Sequence, residues 1–121
     1  MGLNRCFELY ASDIDGNLIY DPKLAAQIAQ RVSEISGYQY WDGNIDNGNS
    51  LTLYEVNWYD WEDDMQKMAN EFPKIVFTLH CEGMYLDDIW DAGFCGDRMD
   101  SQGAYIPDLN YKYLRGLVDH P

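Results

Sequence analysis

The sequence has few basic residues and no long apolar segment. Lys and Arg together number 8 against 21 Asp and Glu, which gives a formal net charge of -13. Proteins that bind nucleic acid or anionic membranes directly use Lys and Arg to neutralise phosphates, so this composition disfavours both partners. No stretch approaches the roughly 18 apolar residues of a membrane span, and the N-terminus has no apolar signal-peptide core. We therefore expect a cytoplasmic protein that contacts neither nucleic acid nor membrane directly.

Cysteine and histidine are scarce as well. The three cysteines, Cys6, Cys81 and Cys95, are odd in number and form no Cys-x-x-Cys pair, which indicates reduced thiols. His80 precedes Cys81 and Glu82 on a predicted strand, where successive side chains point to opposite faces, so the three cannot converge on one metal ion. We therefore expect no metal, no cofactor and no histidine-based catalytic site.

Apolar residues, by contrast, make up 46% of the chain, and aromatic residues make up 15%. This composition excludes a disordered acidic tail, because disordered segments contain few aromatic residues. A chain of 121 residues fits a single domain, which we place at residues 1–121. At this size a folded chain buries about two thirds of the surface that it exposes when unfolded. The sequence therefore predicts one domain with one core.

Hydrophobic periodicity predicts alternating strands and helices. One helix begins at Asp21-Pro22 and ends at Gly37; the other begins near Asp60 and ends at Pro73. Predicted strands lie at 4–11, 38–41, 51–58, 74–82 and 88–95, followed by a tail with a short helix at 105–117. This order predicts an α+β fold, a ferredoxin-like βαββαβ sandwich with an extra β element and a C-terminal tail. Both helices would cover one face of the sheet. The alternative, a doubly wound sheet, needs more helices.

One enzyme-like motif follows the first predicted strand. The segment DIDGN at 13–17 resembles the first motif of haloacid dehalogenase superfamily phosphatases. The resemblance implies Asp13 as nucleophile, Asp15 as general acid and base, segment 96–100 as the late Gly-Asp…Asp metal site and Lys74 as the family's lysine. That family has Thr where this chain has Asn, builds on a parallel sheet, and needs a chain about twice as long. The other interpretation of DIDGN is a turn rich in Asx hydrogen bonds.

Acidic residues are concentrated in the second half of the chain. Positions 60–100 hold eleven Asp and Glu but only three Lys and Arg, a net charge of -8 in 41 residues. Acids along helix starts and loops can imitate a row of phosphates, and interleaved aromatic side chains can anchor a protein interface. The alternative is a solvated acidic rim over an aromatic core. For Trp61 and Trp90 we expect core positions.

The segment at 58–90 contains Trp, an acidic helix with Met, Phe-Pro, an apolar strand, Glu-Gly and Asp-Ile-Trp in that order. This pattern resembles small acidic phage- and plasmid-type proteins with a ferredoxin-like domain. In that family the strand commonly ends in Gly-Glu, whereas here the order is Glu82-Gly83. The family has no settled activity, but several inhibitors of bacterial defence share its size, fold class and acidity. The resemblance implies a phage accessory protein in a bacterial host and assigns no catalytic residues.

These observations together predict a noncatalytic protein that docks an acidic face on a basic protein surface. The expected partner is the nucleic-acid-binding groove of a defence nuclease such as a CRISPR effector, which a DNA mimic would block. A small Mg2+-dependent phosphatase is one alternative, and a module that self-associates into a homodimer through its open sheet face is another. The predicted partner-binding residues are Asp63, Asp64, Tyr85, Asp87, Asp88 and Asp91, with Tyr85 as the aromatic anchor.

Overall fold

The computed structural model describes residues 4–83 and 88–103. This part of the chain is a mixed α+β fold in which two helices pack on a six-stranded sheet. Its elements in chain order are β1 (Arg5–Asp13), α1 (Pro22–Ser36), β2 (Asp42–Gly43), a 3-10 turn (Asp46–Gly48), β3 (Leu51–Val56), α2 (Trp61–Glu71), β4 (Ile75–Glu82), β5 (Ile89–Cys95) and β6 (Arg98–Gly103). The predicted tail at 105–117 lies outside the described residues.

The order of strands in the sheet is β2-β3-β1-β4-β5-β6, and every neighbouring pair is antiparallel. Because β3 and β4 are both antiparallel to β1, they run parallel to each other on either side of it. The connection between these two strands contains α2, which packs against β4, β5 and α1. Strands β4, β5 and β6 then follow as a meander that extends the sheet on one side.

Helix α1 begins and ends where the sequence predicts. One carboxylate oxygen of Asp21 accepts hydrogen bonds from the backbone amides of Lys23, at 3.0 Å, and Leu24, at 3.4 Å. Pro22 follows as the first helical residue, where its missing amide hydrogen costs nothing. Gly37 ends the helix with φ of 79°, a left-handed conformation that glycine adopts readily. Capping residues in the sequence therefore set both ends of α1.

The core lies between the helices and one face of the sheet. Every second residue of the central strands is buried, as the alternation of apolar residues predicts. On the helices the buried positions include Ile28, Val32, Met65 and Met68. The strand side chains that meet them include Phe7, Leu9, Leu51, Leu53, Phe77, Leu79, Cys81, Ala92 and Phe94. Burial raises the pKa of the Cys81 thiol to about 12, so Cys81 packs as a neutral group.

One predicted strand is absent from the structure, and strand β6 of the structure is not among the predicted ones. The segment 38–41 is not a strand, and two of its aromatic side chains bond to other parts of the chain: Tyr38 donates to the carbonyl of Asn57 at 2.9 Å, and Trp41 donates to Ser36 Oγ at 3.3 Å. Strand β6 was not predicted, because RMDSQG has almost no apolar alternation. It forms through its ladder with β5, after a turn in which Gly96 has φ of 59°. No helix in the described ranges is long and apolar enough to cross a membrane.

The two helix starts provide a matched pair of acidic residues. We expect Asp21→Ala to lower the free energy of unfolding by about 1 kcal/mol, because two amides of α1 lose their acceptor. Asp60 precedes α2 but its side chain makes no capping hydrogen bond, so Asp60→Ala should stay within about 0.5 kcal/mol. Urea denaturation of both variants measures the difference. Equal losses would contradict this account of how α1 begins.

Candidate protein-binding surface

The sheet face opposite the helices carries mostly polar and charged side chains. Its residues occupy the strand positions between the buried ones, and among the described residues no helix packs over them. We call this surface the open face. Its polar and charged members include Glu8, Tyr10, Thr52, Tyr54, Thr78, His80, Glu82, Asp91, Arg98, Asp100 and Gln102. All of them are partly or fully exposed, so the open face is a polar surface built from five strands.

Strand register aligns the centre of the open face into one transverse row. Thr52 pairs with Glu8, Glu8 with His80, His80 with Asp91, and Asp91 with Gln102. Neighbouring strands lie about 4.8 Å apart, so a row across five strands spans about 19 Å. Residues that are far apart in the sequence therefore form one continuous surface.

His80 lies at the centre of this row between two carboxylates. Its Nδ1 is 2.7 Å from Asp91 Oδ1, and its Nε2 is 3.1 Å from Glu82 Oε1. Burial by itself would lower the pKa of His80, but the hydrogen bonds and charges of Glu82 and Asp91 outweigh burial and raise the pKa above 6.5. The imidazole therefore carries its proton to higher pH than a free histidine does.

Two tyrosines lie on the open face, Tyr10 on β1 and Tyr54 on β3. The Tyr10 hydroxyl donates to Glu8 Oε2 at 2.5 Å, and this hydrogen bond raises the pKa of Tyr10. Tyr54 is 59% exposed on the neighbouring strand and points to the same side of the sheet. Tyrosine presents a large, rather rigid ring together with a hydroxyl, a combination that favours protein interfaces. These rings could contact a partner beside the carboxylates of the open face.

The charge of the open face is predominantly negative. Four carboxylates, those of Glu8, Glu82, Asp91 and Asp100, lie on its described part, where Arg98 is the one permanent cation. No group of three or more His, Cys, Asp or Glu within 4–83 and 88–103 is arranged to hold a metal ion. The face therefore presents dispersed negative charge, which suits contact with cationic side chains.

The structure does not bring the sequence-predicted residues together on one surface. Asp63 is exposed in the first turn of α2, on the helix side of the sheet. Asp91 lies on the open face, so the sheet separates it from Asp63. Asp88 is 13% exposed and forms an ion pair of 2.7 Å with Arg5 Nε. Tyr85 and Asp87 lie outside the described residues. Among the predicted residues that the structure describes, only Asp91 belongs to the open face.

Asp64 requires a correction, because its carboxylate is internal. The residue is 8% exposed, and its Oδ2 accepts a hydrogen bond of 2.7 Å from the indole Nε1 of Trp58. Trp58 is buried and would leave a polar N–H without a partner if this acceptor were missing. Asp64 also precedes Met65, which is buried at the same end of α2. Its carboxylate therefore stabilises the fold and is not presented to a partner.

Trp61 and Trp90 pack against the core, as expected. Their ring centroids are 4.2 Å apart, and the Trp61 ring also lies 6.3 Å from that of Phe94. Trp90 is 6.1 Å from Phe7, ring to ring, in an edge-to-face arrangement. These contacts occupy both indoles on the helix side of the sheet. They are therefore part of the aromatic packing between α2 and the strands.

The phosphatase-like motif folds as an Asx turn. Asp13 Oδ1 accepts hydrogen bonds from the backbone amides of Asp15, at 2.9 Å, and Asn17, at 2.8 Å. The amide of Asn17, with the other amides of the turn, lowers the pKa of the Asp13 carboxyl. Lys74 is adjacent, because its carbonyl accepts from the Ile14 amide at 3.1 Å. The sheet behind this turn is antiparallel, whereas the phosphatase family uses a parallel one.

The density of acids along the chain does not indicate Glu8, Tyr10 and Tyr54, which lie outside the acidic region at 60–100. The available signal was the two-residue alternation of FELYA and LTLY, in which the residues between buried positions must face the other way.

Comparison with protein-family models, curated proteins and solved structures finds no match to this chain.

Adjacent acids in α2 allow a direct test of the internal role of Asp64. We expect Asp64→Ala to lower the free energy of unfolding by about 1–3 kcal/mol, because the buried Trp58 indole loses its acceptor. Asp63→Ala removes the same charge from an exposed site and should stay within about 0.5 kcal/mol. Chemical denaturation followed by tryptophan fluorescence measures both. Indistinguishable variants would show that the Trp58 bond contributes little.

The His80 bridge predicts a pH-dependent contribution to stability. Because folding raises the pKa of His80, the contribution is fully present below pH 6.5 and is lost as the pH rises through the raised value. The pair is partly exposed, so we expect less than about 1 kcal/mol. Unfolding free energies of the wild type and His80→Gln, measured from pH 5.5 to 8.5, should converge at high pH. A constant difference over that range would contradict the bridge.

Proposed function

We propose that this chain is a noncatalytic binding protein whose open face docks on a basic protein surface. The observation that carries the proposal is the set of carboxylates, those of Glu8, Glu82 and Asp91, on a sheet face that no described helix covers. Lys and Arg side chains of a partner would meet Glu8, Glu82 and Asp91, while Tyr10 and Tyr54 would supply contact area. The complex would form quickly and weaken with salt, as expected of electrostatic steering.

A basic groove that holds nucleic acid is the kind of partner we favour. Such grooves arrange Lys and Arg to neutralise phosphates, and an acidic face can occupy the same cations. The net charge of -13 supports this choice. On this proposal the protein is a cytoplasmic inhibitor that blocks the nucleic-acid path of a bacterial defence nuclease, for example a CRISPR effector. Like charges on the open face would oppose a homodimer through it, so we propose a monomer.

The finer fold assignment is part of the proposal. The order β1, α1, β2, β3, α2, β4 follows the βαββαβ order of a ferredoxin-like sandwich. The split arrangement of β3 and β4 around β1 supports this assignment. Strand β2 would then be a shortened edge strand of two residues, and β5 with β6 would be additions. The additions matter for function, because β5 supplies Asp91 and β6 supplies Asp100.

Two double variants, one on each side of the sheet, test the docking face by neutralising two carboxylates each. We expect Glu8→Gln with Asp91→Asn to weaken binding of decalysine at low salt by about five- to thirtyfold, since two contacts of about 0.5–1 kcal/mol each are lost. The matched control, Glu62→Gln with Asp63→Asn, removes the same charge from α2 and should change affinity less than about twofold. Fluorescence anisotropy measures both dissociation constants.

Two results would overturn the proposed face. Equal weakening by the two double variants would mean that net charge alone attracts the peptide. Unchanged binding by the open-face variant would mean that the peptide contacts another surface. The same pair of variants, tested for inhibition of a purified CRISPR nuclease, extends the experiment to the favoured class of partner. Inhibition should fall with the open-face variant and persist with the α2 control.

A further inference from the structure

His80 is the one histidine within the described ranges, and histidine is the side chain that ordinarily changes charge near neutral pH. Its two ring nitrogens contact Asp91 and Glu82, so the imidazole occupies the carboxylates that a cationic partner would use. The ring is 23% exposed, while Glu82 is 60% exposed and Asp91 is 48% exposed. A partner could therefore reach both carboxylates from solvent while the ring stays lower in the face.

The charged groups around His80 come from three strands. Glu82 lies on its own strand β4, Asp91 on β5, and Glu8 directly opposite on β1, where it holds the Tyr10 hydroxyl. On β6 the residue opposite Asp91 is the uncharged Gln102. Every neighbouring charge is therefore negative. When protonated, His80 neutralises part of this charge, and when neutral it leaves three carboxylates without a cation.

We propose that His80 is a built-in counter-ion that competes with the partner's Lys or Arg side chains for Asp91 and Glu82, so that docking strengthens when His80 loses its proton. This inference rests on the proposed function, because it concerns the same face and the same class of partner. A partner's ammonium or guanidinium group displaces the imidazole from one or both carboxylates. The proton on the displaced ring is then next to a second cation and leaves to solvent.

Linkage sets the size and direction of the effect. If docking favours neutral His80, binding releases up to one proton, and the affinity rises by at most about tenfold for each pH unit. The dependence is strongest below the pKa of His80 and flattens above it, because the free protein has by then lost that proton. The lysine side chains of a cationic peptide stay protonated from pH 6 to pH 8, so the peptide itself contributes little over this range.

The experiment measures the dissociation constant of decalysine for the full chain at pH 6.0 and pH 8.0 and at constant low ionic strength. We expect the wild type to bind about three- to tenfold more tightly at pH 8.0. His80→Gln should bind equally at both values, near the affinity of the wild type at pH 8.0. His80→Arg, which supplies a permanent cation, should bind weakly at both. His120→Gln, a change at the other histidine of the chain, should keep the wild-type dependence.

A second readout follows the ring itself. In NMR titrations, the pKa of the His80 imidazole should fall when decalysine is added to the wild type, because the peptide favours the neutral ring. An unchanged or raised pKa would overturn the inference. So would a pH dependence of affinity that survives in His80→Gln. The proposed function fails separately: if Glu8→Gln with Asp91→Asn binds decalysine as the wild type does, the face itself is wrong, whatever His80 does.

Discussion

The structure depends on an apolar core that lies on only one side of an antiparallel sheet. Because side chains alternate along a strand, burying Phe7 and Leu79 under the helices places Glu8 and His80 on the opposite side. A slip of one residue in register would reverse both faces, so the buried apolar set fixes the polar one. The set of side chains on the open face is therefore as well determined as the core, although these side chains contribute little to stability.

Much of the fold could be predicted from the sequence, because periodicity and capping are local signals. The limits of α1 follow from Asp21 and Gly37, and the buried face of β4 follows from its alternation. Strand β6 could not be predicted, since its polar residues are held by pairing with β5. The site was harder still. Glu8 and His80 are neighbours only through strand register, which no local pattern contains.

Acidity along the chain is a poor guide to acidity on the surface. The dense run of acids that begins α2 divides when the helix forms, because Asp64 turns inward to accept from Trp58 while Asp63 stays in solvent. Asp88 is paired with Arg5, and Glu71 is paired with Arg31 between the two helices. Asp64, Asp88 and Glu71 therefore each bond to a side chain within the fold. On the described part of the open face, Glu82 and Asp91 contact one histidine and Glu8 contacts Tyr10, so most of the negative charge remains available for binding.

The most direct test of the central claim is to map where a cationic chain binds. We would record amide chemical shifts of isotope-labelled protein while decalysine is added at low salt. The account predicts that the largest shift changes cluster on β1, β4 and β5, around Glu8, His80 and Asp91, with little change at Glu62 and Asp63. Changes centred on α2, or spread evenly over both sides of the sheet, would contradict it.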